Sequence, residues 1–252
     1  LSRHSSLHLV LTLPPPPPPP PTLFPYTTLF RSGWYLGSPL LHTLETLHIS
    51  SDLNKVDARF AVQTVIRPQS EGFIDYRGYA GRIASGIFRP GDEVVVLPSG
   101  FGSKIKQIDI FEQSVEAAFA PMSVNILLED DIDISRGDMI VKKNNQPEPK
   151  QDVEAMICWL HDEPARPRTK FSILHTTNEQ KAIIKEVLYK MDINSLERVL
   201  DDSTIAMNDI CRIKLRTTQP LMTDPYRESR ATGSCMLIDD TTNETVAGGM
   251  IL

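Results

Sequence analysis

The chain has 252 residues, which is enough for one large or two ordinary domains, each able to bury its own core. Hydrophobic residues make up 40% and charged residues 23% of it, and these proportions exclude a chain that is disordered over most of its length. The net charge of −6 excludes a general affinity for nucleic acid, so any phosphate-binding surface would have to be a local patch.

The sequence favours a cytoplasmic protein that contacts no membrane. No apolar run approaches the ~20 residues that a membrane-spanning helix needs, and the leading segment does not resemble a signal peptide. The three cysteines, Cys158, Cys211 and Cys235, are widely spaced and form no Cys-x-x-Cys pair. We therefore expect reduced, buried thiols.

Residues 1–32 are expected to be a disordered or foreign proline-rich leader. They include eight consecutive prolines at positions 14–21 and show no helix or strand periodicity. Polyproline is extended and does not build a packed core. The alternative is a proline-rich ligand for an aromatic groove on another protein.

Residues 33–52 are expected to hold one short helix and a connector. Ser38 can cap a helix that has Pro39 at its first position. The leucines that follow have the spacing of one apolar stripe: Leu40, Leu41, Leu44 and Leu47. Such a stripe needs a surface to pack against, and no second strong helix lies nearby in the sequence.

Residues 53–144 are expected to form a β-barrel. Short apolar runs are cut by glycine and proline, which is typical of strands joined by turns. The expected strands are residues 60–66, 78–86, 93–97, 104–108, 123–128 and 138–141. About six strands at this spacing suit a small closed barrel.

Residues 150–252 are expected to form a second β-domain, after a polar linker at residues 142–150 that carries two prolines. The expected strands are residues 153–160, 170–174, 210–215, 234–238 and 245–251. Residues 178–191 are ambiguous, because Glu, Gln, Lys, Ala and Leu favour a helix whereas the isoleucines and valine among them also suit a strand.

The sequence Asn-Lys-Val-Asp at residues 54–57 matches the Asn-Lys-x-Asp motif with which GTP-binding proteins hold guanine. Such a motif should end a buried strand, but residues 48–53 are polar. The sequence also has no Gly-x-x-x-x-Gly-Lys-Ser/Thr loop for phosphate and Mg²⁺. We therefore expect no guanine site here.

Three other motifs are weak. Residues 100–104 are glycine-rich but lie between two strands, so a hairpin turn is expected. Residues 131–135 begin like a calcium loop, but the required glycine and glutamate are absent, and an exposed strand edge fits better. Cys158 and His161 would supply only two of the three or four ligands of a zinc site. The sequence predicts no catalytic residue, cofactor or metal site in this chain.

Residues 75–86 and 89–100 resemble the second domain of the translation-factor GTPase superfamily. Their Arg-Gly-Tyr-Ala-Gly and Leu-Pro-Ser-Gly stretches are similar to one branch, the large GTP-hydrolysing subunit of sulfate adenylyltransferase. Residues 133–140 resemble the end of that second domain, and residues 230–234 and 245–251 resemble the last two strands of the third.

The resemblance covers residues 33–252 and implies an all-β fold of two consecutive barrels, like the second and third domains of elongation factor Tu. It implies a GTP-binding domain ahead of Trp34, which would hold GTP and Mg²⁺ in a full-length family member and is missing here. The helix in residues 33–52 would be the end of that domain. Residues 178–191 would be a long barrel strand.

In this family a small subunit of a different fold catalyses the attack of sulfate on the α-phosphorus of ATP, which gives adenylyl sulfate and pyrophosphate. GTP hydrolysis by the large subunit is coupled to this uphill reaction. The resemblance thus implies an incomplete regulatory subunit, inactive alone, whose barrels pass the GTP state to the small subunit. The alternative is an RNA-binding barrel pair of a translation elongation factor, against which the negative net charge argues.

Five residues are candidates for contacts with the partner subunit or with the missing domain: Arg67, Arg77, Tyr79, Arg227 and Arg230. We expect their side chains to be exposed. The alternative is that arginines beside glycine and aspartate brace turns, since a surface arginine seldom has a special role.

Overall fold

The structure is a computed structural model that describes residues 38, 40–47, 54–68, 76–111 and 113–252. The proline-rich leader expected at residues 1–32 lies outside the described residues. The expected helix is present as α1 (Leu40–Thr46), and its leucine stripe is exposed. Residues 50–252 form one compact unit, and α1 belongs to another. No helix among the described residues is long and apolar enough to cross a membrane.

The first barrel consists of one closed sheet with a small two-stranded sheet beside it. Its strands are β1 (Arg59–Ile66), β2 (Gly78–Ser85), β3 (Ile87–Phe88), β4 (Glu93–Leu97), β5 (Phe101–Ile110), β6 (Gln113–Ser114), β7 (Ala118–Phe119), β8 (Ser123–Leu128) and β9 (Met139–Lys142). The main sheet has the order β4-β9-β1-β2-β8-β5-β6, and β4 also pairs with β5, which closes it. Strands β3 and β7 pair with each other.

The second barrel is built in the same way from longer strands. They are β10 (Pro149–Trp159), β11 (Lys170–His175), β12 (Asn178–Met191), β13 (Arg198–Val199), β14 (Ile210–Met222), β15 (Ser234–Ile238) and β16 (Thr245–Ile251). The order is β11-β15-β16-β10-β14-β12-β13, and pairing of β11 with β12 closes the sheet. Each barrel has its own buried apolar core.

The ambiguous segment at residues 178–191 is strand β12, as the family resemblance implied. It pairs with β11 on one side and with β14 on the other, so its backbone hydrogen bonds are made between strands. The register against β14 shifts twice, between Ile184 and Glu186 and between Val187 and Tyr189. These bulges break the alternation of period two, which explains why periodicity alone did not identify the strand.

Two smaller expectations were wrong. Residues 131–135 are not a strand edge but an irregular extended segment, and Ile132 and Ile134 are buried in the core of the first barrel. Cys211 and Cys235 are buried as expected, but Cys158 is only half-buried. Burial raises the pKa of Cys211 to about 12 and that of Cys235 to about 11, which makes both thiols unreactive.

The two barrels touch through a third, smaller apolar cluster. Val95, Leu97, Met139 and Val141 of the first barrel are buried together, and Met222 at the end of β14 packs against them. The two main cores are therefore separate, and this contact lies between them.

Gly137 adds a close approach of backbones to this contact. It has a φ of +98°, and a Cβ atom there would lie 3.2 Å from Nδ2 of Asn178 in the second barrel. Glycine suits this position because it has no Cβ and accepts a positive φ. The Asn178 amide in turn donates to the Gly137 carbonyl at 3.4 Å.

Candidate interdomain functional site

A buried ion pair joins the two barrels. Arg59, at the start of β1, donates from Nε to Asp224 Oδ2 and from Nη2 to Asp224 Oδ1, each at 3.0 Å. The two side chains are 4% and 9% exposed. A two-point contact between a guanidinium and a carboxylate fixes both distance and orientation. The first strand of one barrel is thereby held against the segment that follows β14 in the other.

The same guanidinium also holds the connection between the barrels. Arg59 Nη1 donates to both the backbone carbonyl and Oδ1 of Asn145, each at 2.7 Å. Asn145 lies in the polar segment between β9 and β10, where sequence analysis predicted only a linker. This segment therefore takes part in the contact between the barrels.

On the second barrel, Asp224 is supported by a small buried polar network. Thr232 Oγ1 donates to Asp224 Oδ2 at 2.7 Å, and Ser229 Oγ lies 2.7 Å from Thr232 Oγ1. His175 Nε2 donates to the Thr232 carbonyl at 2.7 Å. All four residues are buried. Each therefore has the hydrogen-bond partner that a buried polar group requires.

His175 is held neutral in this network. Burial lowers the pKa of the His175 imidazole, although the hydrogen bond to Thr232 and the negative charge of Asp224 act in the opposite direction. A neutral imidazole donates from one ring nitrogen only, and the carbonyl acceptor assigns that proton to Nε2.

The Asn-Lys-Val-Asp segment at residues 54–57 braces a turn beside this network. Asp57 Oδ1 accepts from Asn145 Nδ2 at 2.7 Å, and Asp57 Oδ2 accepts from Asn54 Nδ2 at 2.6 Å. Burial acts to raise the pKa of Asp57, but these amides and the charge of Arg59 together hold it below its usual value. Both carboxylate oxygens, which would face guanine in a nucleotide site, are bonded within the chain.

Two of the five sequence-predicted contact residues are tied to their own barrel. Tyr79 is buried and its hydroxyl donates to the Ile132 carbonyl at 2.7 Å, so the expectation of an exposed tyrosine was wrong. Alternate residues of β2 face the core, and Tyr79 falls on that side. Arg77 pairs with Asp131 and Asp133 and stacks over the Tyr79 ring, with 15% of its side chain exposed.

The other three predicted residues are exposed. Arg67 follows β1, whereas Arg227 and Arg230 lie in the segment between β14 and β15 that also carries Ser229 and Thr232. Arg230 is therefore close in sequence to the buried network that supports Asp224.

A cavity of about 470 Å³ lies at the junction of the barrels next to Arg230. The first barrel contributes Gln63, Arg82 and Pro121 to its lining, and the second contributes Thr176 and Arg230 among others. Arg82 Nε donates to the Pro121 carbonyl at 3.1 Å. Arg230 and Arg82 thus line the same cavity, and Arg82 was not among the five contact residues predicted from the sequence.

The described residues contain no group of three or more His, Cys, Asp or Glu that could hold a metal ion. His161 lies 3.3 Å from Glu244 through Nε2 and is not joined by other candidate ligands. The candidate site is accordingly a structural contact between two barrels with a cleft at its edge.

The second barrel matches a known protein family. Residues 152–252 match the model described as the GTP-eEF1A C-terminal domain-like family. These residues correspond to most of β10 and all the strands that follow it.

Curated relatives match a longer part of the chain. It is 46% identical over 220 residues to the bifunctional enzyme CysN/CysC of Mycobacterium tuberculosis, covering 87% of this chain and 36% of that relative. It is 44% identical over 222 residues to sulfate adenylyltransferase subunit 1 of Bacteroides fragilis, covering 88% of this chain and 46% of the relative. The chain thus spans less than half the length of these relatives.

Solved structures show the same architecture. Sup35 complexed with GDP superposes with a TM-score of 0.70 at 17% identity, covering 87% of this chain and 53% of Sup35. Translation elongation factor SelB from Methanococcus maripaludis gives a TM-score of 0.63 at 18% identity, covering 84% of this chain and 45% of SelB. At these identities the likeness establishes the fold alone.

Proposed function

We propose that this chain, which is similar over 87–88% of its length to part of sulfate adenylyltransferase subunit 1 and of CysN/CysC enzymes, is the two-barrel portion of such a GTP-hydrolysing subunit. The reaction of the whole enzyme joins ATP and sulfate to give adenylyl sulfate and pyrophosphate. In this proposal a small catalytic subunit performs that reaction in the cytoplasm, and the two barrels link it to the GTP state.

The buried pair between Arg59 and Asp224 is the observation that supports this role. A segment that transmits a conformational change between two sites must move as a rigid body, because a flexible connection between its parts would absorb the movement. The two-point ion pair and the apolar cluster around Met139 both act across the junction, and Arg59 also holds the connecting segment through Asn145. We propose that the two barrels respond together to the nucleotide state.

In this proposal GTP and Mg²⁺ are held by a domain that precedes the barrels in full-length relatives. Residues 33–52, with α1, would be the end of that domain. The barrels themselves supply no nucleotide site, because the sequence has no phosphate loop and Asp57 is bonded to Asn54 and Asn145. The chain alone would then have neither GTPase nor adenylyltransferase activity.

We assign the candidate contact residues different roles. Arg67, Arg227 and Arg230 are exposed and are proposed to contact the partner subunit or the preceding domain. Arg77 is proposed to brace its own barrel through Asp131 and Asp133.

The test is co-purification of the chain with the small subunit, followed by an adenylyl sulfate assay with and without GTP. The proposal expects a complex whose activity does not respond to GTP, because the barrels lack the nucleotide domain. Absence of a complex would refute the proposed role. Binding of transfer RNA at moderate salt would instead favour the RNA-binding alternative, which the net charge of −6 opposes.

A further inference from the structure

The loop between β12 and β14 exposes an unusual amount of apolar surface. We call residues 192–209, which include β13, the apical loop. Ile205 is buried in the core of the second barrel, but the other five large apolar side chains of the loop are between 41% and 73% exposed: Ile193, Leu196, Val199, Leu200 and Met207. Apolar groups clustered in this way at a surface mark an interaction site more often than single exposed residues do.

The turn of the apical loop is ordered by its own hydrogen bonds. The Asp192 backbone N–H donates to the Glu197 carbonyl at 2.9 Å, and the Leu196 N–H donates to the Asp192 carbonyl at 2.8 Å. Asp192 Oδ1 accepts from the Asn194 N–H at 2.8 Å. Leu196 is held at a φ of +60°, which is uncommon for a residue with a Cβ. The backbone is therefore fixed in a shape that points apolar side chains outward.

The base of the loop is anchored by Lys190 and Arg198. Lys190 Nζ contacts Asp202 at 2.7 Å and Asp209 at 2.6 Å, which ties both parts of the returning chain to β12. The Arg198 guanidinium lies over the Tyr189 ring, 4.7 Å from its centroid. A surface that is ordered before binding loses less conformational entropy when a partner covers it.

The apical loop lies far from the contact between the barrels. Strand β12 begins at Asn178, whose amide donates to Gly137 of the first barrel, and it ends at Met191 beside the loop. Its 14 residues span up to roughly 40 Å at the usual rise of a strand. The first barrel does not cover the loop, because Ile193, Leu196 and Leu200 are 64–73% exposed with both barrels present, and the loop remains open to a separate polypeptide.

The charged residues around these apolar groups restrict which kinds of protein surface can bind the loop. The apical loop carries five acidic residues and one basic residue, Arg198; Lys190 of β12 pairs with two of the acids, and the other three are Asp192, Glu197 and Asp201. A second copy of this chain docked loop to loop would place two acidic rims against each other, and like charges across an interface oppose association. A partner whose apolar ridge is bordered by lysine and arginine complements both features.

We infer that the apical loop is a protein-docking surface for the small catalytic subunit, which would present an apolar ridge with a basic border. The inference rests on the proposed function for the identity of the partner. The surface itself follows from the exposure, the hydrogen-bonded shape and the charge of residues 192–209.

Calorimetric titration of the small subunit into this chain tests the inference. The double variant Leu196→Glu/Leu200→Glu should weaken binding by ~10-fold or more, because it places charges within the apolar contact. The matched control is Met236→Glu on β15, which also places a charge at an exposed apolar residue of the second barrel and should leave affinity unchanged.

A second variant changes the border and keeps every apolar group. Glu197→Lys/Asp201→Lys reverses two exposed charges of the loop and should weaken binding and reduce its dependence on salt. This variant decides the question if the leucine variant does not fold by circular dichroism. Supporting results are loss of binding in either folded loop variant with the control intact.

Three outcomes overturn the inference. Equal binding of the small subunit to the wild type and to both loop variants would place the docking surface elsewhere and leave the proposed function intact. No binding to the wild type would overturn both. A wild-type dimer that becomes monomeric in Leu196→Glu/Leu200→Glu would identify a second copy of the chain as the occupant.

Discussion

Arg59 and Asp224 are 165 positions apart in the sequence, and in the folded chain their side chains form a buried two-point ion pair. Each is also bonded to groups of its own side of the junction, Arg59 to Asn145 and Asp224 to Thr232. The pair is therefore the centre of a polar network that crosses from one barrel to the other.

Removing one partner of this ion pair should strongly destabilise the folded chain. Asp224→Asn leaves the Arg59 cation buried without its counter-charge, and we expect a loss of about 3–5 kcal/mol in the free energy of unfolding. Denaturant titration measures this. The surface pair Arg216–Asp152, with side chains 49% and 42% exposed, is the control, and Arg216→Met should cost far less than Asp224→Asn. Equal losses at the two sites would contradict the central role of Arg59 and Asp224.

The double variant Arg59→Met/Asp224→Leu should recover part of that loss. It removes both charges together, so no unpaired ion stays buried, and apolar replacements of similar size are often tolerated. We expect the double variant to unfold at a higher denaturant concentration than Asp224→Asn. A double variant that is less stable than Asp224→Asn would show that the other bonds of Arg59 outweigh the ion pair.

Stability should fall at mildly acidic pH because of His175. Burial lowers the pKa of His175 in the folded chain below its usual value of 6.5, so the unfolded chain binds a proton at higher pH than the folded one does. The stabilisation that neutral His175 provides is therefore fully present above the pKa that His175 has in the unfolded chain, and it is lost as the pH falls below that value. Urea titrations between about pH 8 and pH 5 should show a steeper decline for the wild type than for His175→Gln. Parallel curves would mean that His175 does not titrate differently in the two states.

Gly137 should resist substitution because of its backbone conformation. Gly137→Ala places a Cβ at a φ of +98° and 3.2 Å from Nδ2 of Asn178, and we expect a loss of about 1–3 kcal/mol. Thermal unfolding followed by circular dichroism checks this. Gly248→Ala is the matched control, since a Cβ there meets no atom within 4 Å and its φ is not positive, and its effect should be small. A larger effect at Gly248 would refute the argument.

The chain should not bind GTP, although residues 54–57 read Asn-Lys-Val-Asp. Fluorescence titration with a labelled GTP analogue should give no saturable signal at micromolar concentrations. Asp57→Ala should instead lower the free energy of unfolding by about 0.5–1.5 kcal/mol, because Asn145 and Asn54 lose a half-buried acceptor. Saturable binding that Asp57→Ala removes would restore the guanine-site interpretation.

Local patterns predicted many of the strands. Strands β4, β8, β15 and β16 have the bounds that their apolar runs indicated, because turn residues limit each run on both sides. Strand β12 needed the family resemblance, since its two bulges and its helix-favouring residues hide the strand period. There, pairing with two neighbouring strands overrides local propensity.

The contact between the barrels could not be predicted from local patterns. Arg59 is one charged residue at the start of an apolar strand, and Asp224 before a proline is typical of a turn. Neither residue has a sequence neighbour that indicates the other. Tyr79 was misjudged for a related reason, because its glycine and arginine neighbours are typical of a surface turn while its own position in β2 faces the core.

The separation of Arg59 and Asp224 has a consequence for how the protein is made. A ribosome adds ~5–20 residues per second, so roughly 8–33 s pass between the synthesis of these two residues. Once β9 has been made, and until residue 224 is added, the first barrel has a cationic, apolar face that includes Met139 and has no partner. Chains released before residue 224 would keep that face uncovered, which makes them targets for chaperones and proteases.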